Sequence, residues 1–148
     1  MIKIKVYTAE NGYLECLKYL DEINNNKMWG DIAIKAAKNG QLKCLKFLHE
    51  KRYKINNETL GEAARNGRIE CLIFLHKNGY TFESDNERHF NLTYWNLISM
   101  DTIENNYIEC LIYICENVFQ LLNYNHFYEY AIELNRTDCI IYLEKFIK

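Results

Sequence analysis

Asn11-Gly-Tyr-Leu-Glu-Cys-Leu-Lys-Tyr-Leu20 returns as Asn39-Gly-Gln-Leu-Lys-Cys-Leu-Lys-Phe-Leu48 and again as Asn66-Gly-Arg-Ile-Glu-Cys-Leu-Ile-Phe-Leu75. Two weaker copies run from Asn105 to Ile114 and from Leu134 to Leu143. Aligned on Cys16, Cys44, Cys71, Cys110 and Cys139, the copies stand 28, 27, 39 and 29 residues apart. A period of this length marks a stacked-repeat architecture, in which each supersecondary unit buries its apolar face against the next. It points to binding in preference to catalysis and is silent on the partner.

The second copy shows how one repeat becomes two helices. Residues 31–39 carry Ile32, Ala33, Ala36 and Ala37 at helical spacing on one face. Gly40 then offers a left-handed stop, because it lacks the Cβ that penalises positive φ. A second helix over residues 41–50 carries Leu42, Cys44, Leu45, Phe47 and Leu48. Four residues before the cysteine, the five copies hold Gly12, Gly40, Gly67, Asn106 and Asn135. These are the two residue types that best tolerate the left-handed conformation, so the divergent copies keep the geometry while losing the wording. Before the third copy, Asn56-Asn57 supplies an N-cap for a helix that opens near Glu58 and Thr59.

Eight and seven residues before the cysteine stand Thr8-Ala9, Ala36-Ala37, Ala63-Ala64, Thr102-Ile103 and Ala131-Ile132. Side chains this small let neighbouring first helices approach closely. Three residues after it come Tyr19, Phe47, Phe74, Tyr113 and Tyr142, rings expected to pack along the stack. Trp29, Trp95 and Tyr124, fifteen before it, are expected to cover the entry to each first helix.

Composition narrows the function classes. One chain of 148 residues fits a single domain with a real core. Its 18 basic and 20 acidic residues nearly cancel, which argues against a nucleic-acid or anionic-membrane footprint. The amino terminus lacks the apolar core of a signal peptide, and the most apolar stretch, residues 110–122, is interrupted by Glu116 and Asn117 and too short to span a bilayer. A soluble, intracellular, cytoplasmic protein is expected. Six cysteines could suggest a disulfide scaffold, but five share one position in an apolar phrase. Packed helices lie about 10 Å apart, whereas a disulfide needs Cα atoms within about 7 Å. Free, buried thiols in a reducing compartment follow.

The wording Ala-Ala-x-Asn-Gly-x-Leu-Glu-Cys-Leu-x-x-Leu, carried best by residues 36–50 and 63–77, resembles ankyrin repeats. More closely, it is similar to the short divergent ankyrin-like repeats of large DNA viruses. The resemblance implies an all-α solenoid of about five helix-turn-helix units, bounded at about 1–23, 24–52, 53–79, 80–120 and 121–148. It departs from ordinary ankyrin repeats in its shorter period, in the missing Thr-Pro-Leu-His turn and in having no proline. Long hairpin fingers are therefore expected to shrink to plain loops.

Against this frame one interval stands out. The gap from Cys71 to Cys110 exceeds its neighbours by about eleven residues, with the excess at about 80–95. The insertion either lengthens the following helix by about three turns or protrudes as a loop; a loop, or a loop with a short helix, is the preferred reading. Its Arg88, His89, Phe90 and Tyr94 are residue types found at interface hot spots, though they would equally seal the insertion onto the stack.

The first helices offer the other candidate surface. Their outward positions are Tyr7, Lys35, Glu62, Asp101 and Tyr130, then Glu10, Lys38, Arg65, Glu104 and Glu133. In ankyrin-like stacks that face lines the concave groove. Its charge drifts from basic at Lys35 and Lys38 to acidic at Asp101, Glu104 and Glu133, a gradient able to orient a charged protein partner; ordinary solvated helix faces give the same pattern. On the second helices, Lys18 and Lys46 give way to Ile73, Ile112 and Ile141. Either the last repeats pack more deeply, or the stripe serves self-association, so monomer and homodimer both stay open.

Chemistry finds little footing. No Gly-rich phosphate loop, Gly-x-Ser-x-Gly elbow or His-Glu-x-x-His helix occurs. His49 and His76 share a register position, but no third ligand joins them. Cys110 and Cys115 lack the second pair that a closed zinc site needs. No enzyme activity, cofactor or metal is expected.

Overall fold

The computed structural model describes residues 2–23, 30–81, 91–117 and 122–147, and ten α-helices lie among them. The first helices are α1 (Ile2–Glu10), α3 (Gly30–Lys38), α5 (Asn57–Arg65), α7 (Asn91–Glu104) and α9 (Tyr124–Glu133). Each is followed by its partner: α2 (Leu14–Ile23), α4 (Leu42–Glu50), α6 (Ile69–Lys77), α8 (Ile108–Asn117) and α10 (Thr137–Leu143). A short 3-10 turn, Glu144–Phe146, closes the described chain. The expected all-α solenoid of five helix pairs is what the molecule shows, with no strand among the described residues.

Two layers result. α1, α3, α5, α7 and α9 pack side by side in one layer, and the second helices form the other with thinner contacts between them. The asymmetry follows from side-chain size. Ala9, Ala36, Ala37, Ala63, Ala64 and Ala131 are wholly buried between first helices, where only small residues allow that approach. Leu17, Leu45, Leu72 and Leu111, each one residue after the cysteine, are wholly buried too and fill the space between layers. Buried hydroxyls on the first helices are satisfied locally: Thr8 donates to Lys5 O at 2.8 Å, Ser99 to Trp95 O at 2.8 Å and Thr102 to Ser99 O at 2.7 Å.

Every first helix ends the same way. Gly12, Gly40, Gly67, Asn106 and Asn135 have φ of +75°, +73°, +69°, +56° and +53°. The amide after each donates to the carbonyl five residues back: Tyr13 to Thr8, Gln41 to Ala36, Arg68 to Ala63, Tyr107 to Thr102 and Arg136 to Ala131, at 2.7–2.9 Å. This is the Schellman closure, which satisfies carbonyls orphaned at a helix end. The asparagine before the stop adds a further bond. Asn11, Asn39, Asn66 and Asn105 each donate from Nδ2 to the carbonyl four residues earlier, at 2.8–3.0 Å. α4 and α6 reuse the device, with Arg52 and Gly79 at φ of +59° and +88°.

Glycine at the stop also serves a neighbour. A Cβ on Gly12 would lie 2.3 Å from the Gln41 side chain, one on Gly40 2.9 Å from Arg68, and one on Gly67 2.6 Å from the Tyr107 ring. Those side chains follow the stop of the next repeat and cross back over the glycine. Gln41 Nε2 donates to Glu10 O at 3.2 Å, Arg68 Nε to Lys38 O at 3.1 Å, and the Arg136 guanidinium to Glu104 O. Each crossing ties one repeat to the end of the preceding first helix. At the start of α5, Asn56 Oδ1 accepts from the Thr59 amide at 3.2 Å, as an N-cap does.

Three expectations need correction. Cys16 is exposed, unlike the other five cysteines, because that position faces the preceding repeat and no described residues cover it in the first. Tyr19 is 63% exposed for the same reason, while Phe47 is 7% exposed. Trp95 does not cover a helix entry: it is buried inside α7, which begins at Asn91. α7 has 14 residues against 9 in α5, and residues 91–95 of the insertion belong to its first turns. Residues 82–90, including Arg88, His89 and Phe90, lie outside the described part.

Candidate functional site

The outward positions of α3, α5 and α7 form one connected string. Lys38 Nζ lies 3.9 Å from Glu62 Oε2, Arg65 Nη1 donates to Glu62 Oε1 at 3.0 Å, and Arg65 Nε donates to Asp101 Oδ2 at 2.7 Å. The Arg65 guanidinium also sits 6.0 Å from the Tyr94 ring centre, within cation–π range. Four of the first-helix positions singled out by helical phase therefore meet, and Tyr94 joins them from the helical part of the insertion. Burial opposes the Arg65 charge, but Asp101 and Glu62 outweigh it and hold the guanidinium above its ordinary pKa. Glu62, Arg65, Asp101 and Tyr94 are half-buried and Lys38 is exposed, so the string is a partly shielded surface.

The remaining positions flank it. Lys35 is half-buried one turn before Lys38 on α3. Tyr130 lies at the acidic end on α9, its phenol pushed up in pKa by burial and by Glu104, Asp101 and Glu133. Basic Lys35 and Lys38 on α3 and acidic Asp101 on α7 stand at the two ends of this string, and its middle is internally paired. The isoleucine stripe is mostly covered: Ile73 and Ile112 are half-buried, while Ile141 is 58% exposed.

A second polar cluster escaped helical phase. Lys5 is completely buried in α1, with Nζ 3.1 Å from the Tyr53 hydroxyl and 3.8 Å from Asp21 Oδ1. The Tyr53 hydroxyl donates to the same carboxylate. Burial pulls the Lys5 pKa down against the opposing pull of Asp21. Burial and the Asp21 charge and hydrogen bond push Tyr53 well above the ordinary phenol value. Tyr53 and Asp21 are only 4% and 6% exposed, which leaves no room for a substrate. The cluster instead ties α1 and α2 to the segment after α4. Register alone held the signal: Lys5 falls where Ala33, Leu60 and Ser99 are buried, and Asp21 falls where His49 and His76 stand.

The two histidines are partnered across repeats. His49 Nδ1 lies 3.1 Å from the Tyr80 hydroxyl, and His76 Nδ1 lies 2.8 Å from that of Tyr113. Tyr53 on Asp21 and Tyr80 on His49 are equivalent contacts, each tyrosine standing nine residues after its cysteine. Burial pushes the thiols of Cys71, Cys110 and Cys115 up to about 11, 12 and 12, so they stay protonated near neutral pH and lack thiolate character. Among the described residues no three His, Cys, Asp or Glu side chains are placed to hold a metal ion. None of the described helices is long and apolar enough to cross a membrane.

A family model described as Ankyrin repeats (3 copies) matches residues 6–86, more than half of the chain. Among solved structures, the chain is similar to one titled "Crystal structure of human ASB11 ankyrin repeat domain". The TM-score is 0.75 at 18% identity, over 96% of this chain and 68% of that one. At that identity the likeness is one of fold. No curated protein sequence matches the chain.

Proposed function

The chain belongs to the ankyrin repeat family, and from that premise we propose that it is a non-catalytic module that holds a protein partner on its first-helix face. The observation that carries this reading is the string Lys38–Glu62–Arg65–Asp101, which crosses three successive repeats. A rigid stack presents these groups at fixed spacing, so little ordering entropy is lost on contact. Lys35 and Lys38 would meet an acidic part of the partner, and Asp101 with Tyr130 a basic or donor-rich part. Tyr94 extends the surface toward the insertion, and Arg88, His89 and Phe90 would add planar contacts there.

Five buried free thiols support a reducing, intracellular and cytoplasmic setting. The short repeat wording supports a place among large DNA viruses, with a host protein as the partner.

Capture from the native cell tests the surface. We expect Lys35→Glu with Lys38→Glu to lose the protein that the natural chain retains, while Ile141→Lys on the outer layer retains it. Equal retention by both variants would overturn the first-helix assignment.

A further inference from the structure

The outer layer changes sign at one repeat. One residue before the cysteine, α2, α6, α8 and α10 carry Glu15, Glu70, Glu109 and Asp138 in their first turns, but α4 carries Lys43. A carboxylate there complements the positive end of the helix, and an ammonium opposes it. Eight residues after the cysteine, α6 closes on Gly79, whereas α4 closes on Arg52 at φ of +59°. A Cβ disfavours that left-handed backbone. Each residue departs from what its own backbone favours, and each puts a cation at the surface.

Lys46, Lys51 and Lys54 complete the run, and all five residues are exposed. No salt bridge among the described residues uses any of them. Lys43 and Lys46, three residues apart, share one helix face. Lys46 Nζ stands 5.9 Å from the Phe74 ring centre and Lys51 Nζ 5.8 Å from that of Phe47. Two of the ammonium groups are therefore held over the outer aromatic row. Glu50 is the one carboxylate within residues 43–54.

We propose that Lys43, Lys46, Lys51, Arg52 and Lys54 dock a short acidic segment of a partner protein on the outer face of α4 and the turn after it. Complementary charge attracts and orients such a segment, and the size of the patch suits it. The nine residues of α4 span about 14 Å, the length of about four residues of extended chain. Beyond them the outer layer turns acidic, with exposed Glu15 and Glu22 on α2 and Glu70 on α6, and packed helices lie about 10 Å apart. A duplex or a flat anionic bilayer would extend over those carboxylates and be repelled by them. The net charge of −2 gives either no long-range attraction. Single-stranded nucleic acid needs open rings on which bases stack, but Phe47 is buried and Phe74 is half-buried, with ammonium groups over both. The patch lies on the layer opposite the first-helix string, so the two surfaces are independent.

Fluorescence anisotropy of a labelled oligoglutamate peptide, titrated with the full chain, reads the docking. Saturable binding is expected. Lys43→Glu with Lys46→Glu should weaken it about tenfold, and Glu50→Gln should tighten it. Lys3→Glu with Lys145→Glu makes the same charge change at exposed positions off the patch and should leave binding nearly unchanged. Lys43→Glu restores the first-turn carboxylate of the other repeats, so the thermal melt should hold or rise; lost binding then does not come from lost folding. Absence of saturable binding overturns the proposal. So does equal weakening by the two double variants, or tighter binding of a DNA oligonucleotide or of phosphatidylserine vesicles than of the peptide. Loss through Lys35→Glu with Lys38→Glu, and not through Lys43→Glu with Lys46→Glu, would move the acidic segment to the first-helix face and overturn it as well.

Discussion

The first repeat and the middle of the stack both carry ionic contacts, in opposite surroundings. Lys5, Asp21 and Tyr53 are sealed between repeats, at 0%, 6% and 4% exposure. Lys38, Glu62, Arg65 and Asp101 sit at the surface, with the Lys38 side chain 46% exposed. The types of group are similar; water decides what they do. A sealed charge costs much when an opposite charge beside it is removed, because water cannot take that place. A surface pair contributes little to folding, because water replaces either member cheaply. The sealed cluster is therefore suited to joining repeats, and the surface string is free to serve recognition.

The sharpest way to break this comparison is Asp21→Ala. It removes a buried carboxylate that both Lys5 and the Tyr53 hydroxyl contact, and we expect a loss of about 3–5 kcal/mol in urea unfolding. Replacing Lys5 by Met, Asp21 by Leu and Tyr53 by Phe together should restore much of that loss, since apolar groups of similar volume remove the desolvation cost and leave no buried hydroxyl without a partner. A neutral Asp21→Ala would remove the distinction between the two regions.

Gly67→Ala probes the seam between repeats with no charge involved. The left-handed backbone alone costs about 1–2 kcal/mol for a residue with a Cβ, and the new methyl would press on the Tyr107 ring. The loss in the same unfolding experiment should exceed the backbone cost. Adding Tyr107→Ala should remove the excess due to crowding and leave the backbone part.

Glu62→Gln sharpens the surface half of the comparison. Its effect on stability should stay below about 1 kcal/mol, while partner capture weakens. A destabilisation as large as that of Asp21→Ala would make the string a structural tie.

The smallest expected effect lies at His76. Burial lowers its folded pKa below the ordinary value of 6.5, so the unfolded chain binds the proton more readily between the two values. Stability should therefore fall as the pH drops below 6.5 toward the folded pKa, then lose no more on this account. His76→Gln should flatten the slope in that window, read as the difference between two pH series of unfolding midpoints.

Much of the architecture could be read from the chain alone, because its causes are local. A residue tolerant of positive φ is needed wherever a first helix stops, and Asn106 and Asn135 mark those places even where the surrounding phrase has drifted. Small residues at Ala36–Ala37 and Ala63–Ala64 announce the close layer before any coordinates. The candidate surface was half legible: helical phase placed Lys38, Glu62, Arg65 and Asp101 outward, but not within bonding distance of one another. Lys5 was not legible as buried, because its immediate neighbours describe a lysine on a short helix. Only the register, which sets it beside Ala33 and Leu60, hints at the interior.

The amino-acid sequence by itself determined the repeat period, the two-helix unit, the turn chemistry and the small-residue seam. Each is a short-range demand that a few side chains impose on their own backbone. Tertiary structure alone decided that Lys5 would be sealed against Asp21 and Tyr53, and that four charges from three repeats would join into one string. It also decided that Cys16 and Tyr19 would lie bare while their copies are covered. Those outcomes depend on which repeat stands next to which, and burial is a property of neighbours that no residue specifies alone.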